Sequence, residues 1–242
     1  MRGTHEDSYT FYKLDVVSLY PSVPVFEAIM LANSLIIKKG FSIQQVLDIH
    51  DALTFITEHN YFLFNKSIYL QKPGVPMGSP LSVVLAKLIM REIKLRIFNS
   101  PLTTSYLSLY LHYVNDILIV WESTEEEFIK FVQQLASIYP TISFTWEREH
   151  EESIAFLDLH IQKLVEGLQF AIHRKSDVLP YIIPAEAFQP SRYINAAIAA
   201  RVRRALLLLS TQLATKIELD IIRVVVLLAG FTHCKYEHVL HK

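Results

Sequence analysis

Three separate stretches of the sequence hold residues whose types suit chemistry at a divalent metal ion. Asp15 lies in the middle of an apolar, strand-like run, where burying a carboxylate is costly unless it is paired or bound to metal. Asn115 and Asp116 lie between two further apolar runs and predict a turn. Carboxylates on neighbouring strands can hold magnesium, which prefers hard oxygen ligands and keeps few protein contacts. Two such ions can activate a 3′ hydroxyl and stabilise leaving pyrophosphate, which is the chemistry of nucleotidyl transfer.

The third stretch is a loop, residues 71–82, that is rich in glycine and proline and runs into a helix. Gly74 and Gly78 allow the backbone to approach a ligand closely. Pro80 suits the first turn of a helix capped by Ser79, and a helix start favours a phosphate. Each stretch alone also has an ordinary explanation: a strand-edge aspartate, a turn, or a loop-to-helix junction. Their combination is what indicates catalysis.

Hydrophobic periodicity and turn residues predict the elements that position these side chains. The predicted strands cover residues 11–19, 61–70 as a hairpin that turns at Asn65 and Lys66, 105–113, 117–121, 143–148, 154–161 and 168–173. The predicted helices cover residues 26–38, 43–59, 80–98, 124–139 and the chain from residue 191 onward. Thr124, followed three residues later by Glu127, resembles a capping box.

Three prolines within residues 178–190 predict a break between two lobes. The first lobe, residues 1–178, mixes strands and helices, and the second, residues 179–242, is purely helical. The fold class expected is therefore α+β followed by an all-helical part.

Composition limits the class of protein. The chain has 242 residues, of which 51% are hydrophobic, enough for one large core or two lobes. Its formal charge of −1 argues mildly against a strong nucleic-acid binder unless basic residues cluster, as they do at residues 38–39, 91–96 and 201–204. Cys234 is the only cysteine, so no disulfide can form within the chain. With neither a signal peptide nor about 18 uncharged apolar residues in a row, we expect an intracellular protein without a membrane span.

In order and spacing, the three stretches resemble the motifs of reverse transcriptases. Residues 14–24 resemble motif A, residues 71–82 motif B, and residues 113–116 the Tyr-x-Asp-Asp box of motif C. The finer pattern resembles the Penelope-like retroelements, which are similar to telomerase reverse transcriptase. That finer pattern is carried by residues 15–19, 23–24, 77–82, 144–147, 156–161 and 173–175, and by residues 203–205 and 222–231, which resemble the family's thumb.

The resemblance implies a right-hand polymerase with its fingers largely missing. The palm, an antiparallel sheet backed by helices, would cover residues 1–178, and a helical thumb residues 179–242. The implied activity is RNA-directed DNA polymerisation for a retrotransposon, with two magnesium or manganese ions. The implied partners are an RNA template, a DNA primer and deoxynucleoside triphosphates, and the implied location is the nucleus.

The resemblance also implies roles for single residues. Asp15 would bind both metal ions, position 115 would supply the other shared ligand, and Asp116 would support them, so that the metal-binding carboxylates are Asp15 and Asp116. Tyr20 would screen the sugar 2′ hydroxyl. The nucleotide and template would be lined by Gln71, Gly74, Met77, Gly78 and Ser79. The primer and duplex would lie near Arg174, Lys175, Arg201, Arg203 and Arg204.

One position departs from the motif. Asn115 stands where the box has its first aspartate, and a neutral amide cannot match a carboxylate's charge at a divalent ion. We therefore expect metal binding and catalysis to fall by orders of magnitude, unless Asp116 partly substitutes, and we expect a truncated or impaired copy. The alternative is an inactive pseudo-polymerase that holds RNA or an RNA–DNA duplex. A weaker third hypothesis is a zinc site formed by His233, Cys234, His238 and His241.

Overall fold

The chain divides after residue 148 into two units, each with its own hydrophobic core. This computed structural model describes residues 9–174 and 181–240. The division precedes the predicted lobe boundary at residue 178, because the strands that follow residue 149 group with the later helices. The assignment of palm and thumb to these parts of the chain stays a prediction.

Strands and helices are interspersed in the first unit, and strands precede helices in the second. The strands are β1 (Thr10–Val16), β2 (Tyr61–Phe64), β3 (Ser67–Leu70), β4 (Leu107–Tyr113), β5 (Asp116–Trp121), β6 (Phe144–Arg148), β7 (Ser153–Phe156), β8 (Leu159–Leu164) and β9 (Gly167–Ile172). The helices are α1 (Leu19–Ser22), α2 (Val25–Lys38), α3 (Ile43–Glu58), α4 (Pro80–Ile97), α5 (Pro101–Tyr106), α6 (Glu125–Ile138), α7 (Ser191–Leu208), α8 (Gln212–Leu228) and α9 (His233–Leu240).

A four-stranded antiparallel sheet, ordered β4-β5-β1-β6, organises the first unit. β1 is an inner strand, and its apolar side chains are buried beside those of β5, α4 and α6. Tyr12 stacks on Phe128 of α6, with ring centroids 3.6 Å apart. Burying side chains such as Leu14 and Ile89 contributes about 1.5–3 kcal/mol each, which fixes α4 against the sheet. The prediction of an antiparallel sheet backed by helices is confirmed for this unit.

Three predictions about the first unit need correction. The strand predicted over residues 11–19 ends at Val16, because Ser18 takes a left-handed φ of 48° and Leu19 begins α1. The turn predicted at Asn115 and Asp116 lies one residue earlier: Tyr113 pairs with Asp116, which leaves Val114 and Asn115 as the turn. The strand predicted from residue 105 begins at residue 107, since Pro101 starts the short helix α5.

The second unit begins with a three-stranded antiparallel sheet, β7-β8-β9, whose strands the sequence had placed in the first lobe. The elements from residue 191 to residue 240 are all helices, as predicted. The single strand predicted over residues 154–161 is in fact a hairpin. Phe156 pairs with Leu159, and Leu157 turns the chain with a φ of 53°. Asp158, the second turn residue, was the one local signal for this turn, and the apolar residues on either side of it favoured a single strand.

Helices α7, α8 and α9 pack around the second core, which includes Ile198, Val226 and Tyr236. The Tyr236 hydroxyl donates to the carbonyl of Leu219 at 3.1 Å, joining α9 to α8. No helix of the described residues is long and apolar enough to cross a membrane.

Among the described residues, no cluster of side chains supports the hypothesis of a zinc site. Within residues 9–174 and 181–240, no group of three or more His, Cys, Asp or Glu side chains could hold a metal ion. His233 lies 3.6 Å from Glu237 on the same helix, and Cys234 is exposed. His241 lies outside the described residues.

Candidate functional site

The two aspartates lie directly opposite each other on neighbouring strands. β1 and β5 run antiparallel, and their register pairs Asp15 with Asp116. Side chains directly opposite in such a pair point to the same face of the sheet, with Cβ atoms about 4.5–5.5 Å apart. Both aspartates are half-buried. The fold thus brings two carboxylates to one place at one end of the sheet.

Asn115 adds a third polar side chain to this pair. Its Nδ2 donates to Asp15 Oδ1 at 2.6 Å, across a sequence separation of 100 residues. The backbone N–H of Val16 donates to the Asn115 carbonyl at 3.0 Å, which holds the turn against β1. The Asn115 amide therefore occupies one oxygen of the carboxylate to which the resemblance assigns both metal ions.

The hairpin tip is strained at Val114, whose φ is 56°. Two-residue hairpin turns favour glycine where φ is positive, and a β-branched residue rarely takes this conformation. Such a residue costs on the order of 1–3 kcal/mol and persists where its surroundings enforce it. Here the ring Nε2 of His112 donates to the Val114 carbonyl at 2.7 Å. Burial lowers the pKa of His112, so the ring is neutral near pH 7.

The loop before α4 lies directly against α1. A Cβ on Gly74, whose φ is +66°, would stand 2.3 Å from the carbonyl oxygen of Pro21 and 2.4 Å from that of Tyr20. The N–H of Val75 donates to the Tyr20 carbonyl at 2.9 Å. The close approach predicted for Gly74 is therefore made to protein backbone. Gly78, with a φ of +93°, has nothing within 4 Å of the Cβ position.

The other residues predicted to line the nucleotide differ in exposure. Gln71 donates from Nε2 to the Pro73 carbonyl at 3.0 Å within its own loop, whereas the Met77 side chain is 73% exposed. Ser79 is the N-cap of α4 and Pro80 its first residue, as predicted, but the Ser79 side chain makes no capping hydrogen bond. Tyr20 lies in α1 and is half-buried.

Three of the arginines predicted to bind duplex are engaged within the second unit. Arg174 forms an ion pair with Glu218, which is only 7% exposed. Arg204 pairs with Asp158 at 2.7 Å, and Arg201 donates to the Tyr181 carbonyl at 2.6 Å. Of the other two residues predicted to bind duplex, Arg203 is exposed and Lys175 lies outside the described residues.

A groove beside the hairpin tip was not expected from the sequence. It encloses about 460 Å³ between α1, α4 and the end of β4. Its lining includes Tyr20, which the sequence had singled out, together with Lys87, Lys94 and His112, which it had not assigned to any site. The available signal was the helical spacing of Lys87, Arg91 and Lys94, which places them on one face of α4.

The oxygen donors at the aspartate pair fit a divalent ion in part. No group of three or more His, Cys, Asp or Glu side chains occurs among the residues described, so Asn115 has to complete the set with Asp15 and Asp116. Its amide now turns the nitrogen toward Asp15, whereas a metal ligand would have to be the carbonyl oxygen. The set therefore fits a magnesium ion once this amide rotates, with one negative charge fewer than three carboxylates supply.

The fold resembles those of nucleic-acid polymerases. Telomerase from Candida albicans, solved with a TWJ fragment of telomeric RNA, superposes with a TM-score of 0.58 at 12% identity, over 97% of this chain and 40% of that one. Apo telomerase from Candida tropicalis gives 0.52 at 14% identity, over 96% and 45% of the two chains. The 3Dpol RNA-dependent RNA polymerase of a sicinivirus gives 0.51 at 13% identity, over 98% and 52%.

These likenesses define the class of fold and nothing finer. The chain is a mixed α/β protein with antiparallel sheets and a polymerase-like fold. It spans about half or less of the length of the polymerases it resembles. No protein-family model matches the sequence, and no curated protein does.

Proposed function

We propose that this chain is the palm and thumb part of a reverse transcriptase, an RNA-directed DNA polymerase most similar to those of Penelope-like retroelements. The observation that carries the proposal is the pairing of Asp15 with Asp116 on adjacent antiparallel strands, beside the Asn115 turn. The order of the three sequence motifs along the chain and the polymerase-like fold support it. A retrotransposon origin and a nuclear location belong to the same proposal.

In the proposed reaction the chain's own residues position the reactants. Asp15 and Asp116, with the amide oxygen of Asn115, would hold magnesium or manganese. Two such ions, when bound, supply the activation of the primer 3′ hydroxyl and the neutralisation of leaving pyrophosphate. Tyr20 would limit space at the sugar 2′ position, and the loop around Gly78 would lie against the nucleotide. An RNA template, a DNA primer and deoxynucleoside triphosphates are the proposed partners.

The Asn115 contact favours a second candidate function. A hydrogen bond from the Asn115 amide engages one oxygen of Asp15 without any cation, and a half-buried carboxylate that already has a partner needs metal less. Under this alternative the chain is a pseudo-polymerase that binds RNA or an RNA–DNA duplex and performs no chemistry. Its affinity for duplex should then depend on salt but not on divalent ions.

Primer extension distinguishes the two candidates. The chain and its Asn115→Asp variant, each joined to a reverse-transcriptase fingers segment, are assayed on an RNA template with magnesium or manganese. We expect Asn115→Asp to raise the rate by at least about a hundredfold, because losing even outer-shell support for a metal typically costs 10–100-fold. The matched control is Asp15→Asn added to the Asn115→Asp variant, which should abolish extension.

Each outcome has a clear meaning. Extension by the aspartate form alone identifies Asn115 as the cause of an impaired polymerase. Equal extension by both forms means that Asp15 and Asp116 suffice, and the ligand role of position 115 is then wrong. If neither form extends while duplex binding persists without metal, the pseudo-polymerase replaces the polymerase as the function.

A further inference from the structure

The hairpin formed by β2 and β3 carries an apolar surface on both of its faces. Seven of its eight strand residues are apolar, none of the eight is charged, and the seven are 42–74% exposed. The four aromatic side chains alone leave roughly 450 Å² exposed, since each buries about 150–250 Å² when it is fully covered. This area matches the largest apolar patch of a typical monomer, and the aliphatic residues add to it. Patches of that size mark interaction sites.

Both edges of this hairpin are open as well. The two strands form a sheet of their own, and no other strand of the described residues pairs with β2 or β3. The N–H of Gln71 donates to the Asn60 carbonyl at 2.8 Å. Because hydrogen-bonded and non-bonded pairs alternate along an antiparallel ladder, β2 directs the N–H and C=O groups of Tyr61 and Leu63 outward. Such a row of unpaired groups is a template for a further strand, and a two-stranded hairpin is at best marginally stable alone in water.

We propose that the outer edge of β2 binds the same edge of a second copy of this chain, antiparallel and with a twofold axis at Phe62. In this register Tyr61 of each copy lies opposite Leu63 of the other, and each such pair exchanges both of its backbone hydrogen bonds. The two Phe62 rings lie side by side at the axis, where an aromatic pair adds to the stability of a sheet. The product is a four-stranded antiparallel sheet in a closed, twofold-symmetric dimer.

Charges at the two ends of β2 complement each other in this register. Glu58 precedes the strand by three residues and Lys66 follows it by two, so the pairing brings Glu58 of one copy opposite Lys66 of the other, twice by symmetry. Both residues are exposed, and neither forms an ion pair within the part of the chain that the structure describes. Within one copy they lie beyond opposite ends of β2, which is about 13 Å long.

The outer edge of β3 offers no such match. Its outward residues are Ile68 and Leu70, so the equivalent twofold pairing is centred on Tyr69. That pairing places Lys66 of one copy opposite Lys72 of the other, and like charges directly opposite destabilise a sheet. The β2 edge is therefore the one that pairs, and a dimer is the end point because each copy uses one edge. This interface contains none of the candidate catalytic residues and does not rest on the proposed function.

Sedimentation velocity of the whole chain from about 1 to 200 µM, where weak complexes dissociate, tests the interface. We expect a reversible equilibrium between monomer and dimer. Leu63→Pro removes an outward N–H that the monomer does not use, and edge strands tolerate proline there. Two hydrogen bonds are then lost per dimer, so the dissociation constant should rise about a hundredfold. Ile68→Pro, the matched change on the β3 edge, should dimerise like the parent chain.

A charge exchange tests the register. Glu58→Lys alone puts like charges opposite each other at both ends of the interface and should raise the dissociation constant about tenfold. Lys66→Glu alone should have the same effect. The double variant Glu58→Lys, Lys66→Glu restores opposite charges across the axis and should dimerise like the parent chain. A local structural effect of either substitution would not produce this recovery.

Four results would overturn the interface. The first is a chain that stays monomeric up to about 200 µM, and the second is assembly into species larger than a dimer. The third is an equal loss in Leu63→Pro and Ile68→Pro, or no recovery in the double charge variant, which would indicate nonspecific apolar association. The fourth is dimerisation of the chain alone that disappears when the fingers segment is joined, which would make that segment the occupant of the edge. None of these results changes the reading of the primer-extension assay.

Discussion

Replacing Gly74 by alanine should destabilise the first unit far more than the same change at Gly78. Both glycines have positive φ angles, +66° and +93°, in the same loop. They differ in surroundings, because a Cβ at Gly74 would overlap the backbone of Tyr20 and Pro21, whereas a Cβ at Gly78 would meet nothing within 4 Å. The pair therefore separates backbone strain from steric overlap.

The expected magnitudes follow from these contacts. A left-handed alanine costs roughly 1–2 kcal/mol, which alone should apply at Gly78. At Gly74 the loop must also move away from α1, since backbone atoms 2.3–2.4 Å away cannot rotate aside. Losing the hydrogen bond from Val75 to Tyr20 adds about 1 kcal/mol or more, and displaced packing adds about 1–3 kcal/mol. We expect a total near 4 kcal/mol for Gly74→Ala and near 1 kcal/mol for Gly78→Ala.

Urea unfolding followed by tryptophan fluorescence measures this difference. The chain has two tryptophans, Trp121 and Trp146, and both lie in the first unit, so the signal reports on the unit that carries both glycines. A loss of about 4 kcal/mol is a large part of the 5–15 kcal/mol typical of a folded domain. If Gly74→Ala costs no more than Gly78→Ala, the loop does not lie against α1 and the described packing is refuted.

Two further predictions concern pH and a buried ion pair. Because burial lowers the pKa of His112 in the folded state, the unfolded chain takes up the proton first, and stability should fall as the pH drops below about 6.5. In urea unfolding measured from pH 5 to 8, His112→Gln should not show this loss of stability at low pH. A stability profile unchanged by the substitution would contradict the lowered pKa of His112. Glu218→Ala removes a buried partner of Arg174 and should destabilise the second unit by about 2–3 kcal/mol. Asp158→Ala removes the partner of Arg204 in an exposed ion pair and should cost at most about 1 kcal/mol. Hydrogen exchange of the α8 backbone amides compares the two variants. An equal loss of protection in both would contradict the role given to burial.

Local signals predicted many elements because their causes lie within a few residues. Asn65 and Lys66 turn a hairpin as predicted, with positive φ angles of 46° and 63°. The Thr124 hydroxyl accepts the N–H of Glu127 at 3.4 Å and so caps α6, which confirms the first half of the predicted capping box. The Glu127 carboxylate pairs instead with Lys130. Leu157 was missed because its conformation is imposed by strand pairing on either side, and a leucine carries no local preference for a turn.

The sequence by itself determined the three stretches that suit metal and phosphate chemistry, the strand around Asp15 and the helix that begins at Pro80. Only the tertiary structure decided that Asp15 faces Asp116, that the Asn115 amide donates to Asp15, and that Gly74 lies against α1. The physical reason is range. Turn and cap preferences act between neighbouring residues, whereas contacts across 100 residues depend on which strands pair and in what register, and that is set by the burial of whole apolar faces.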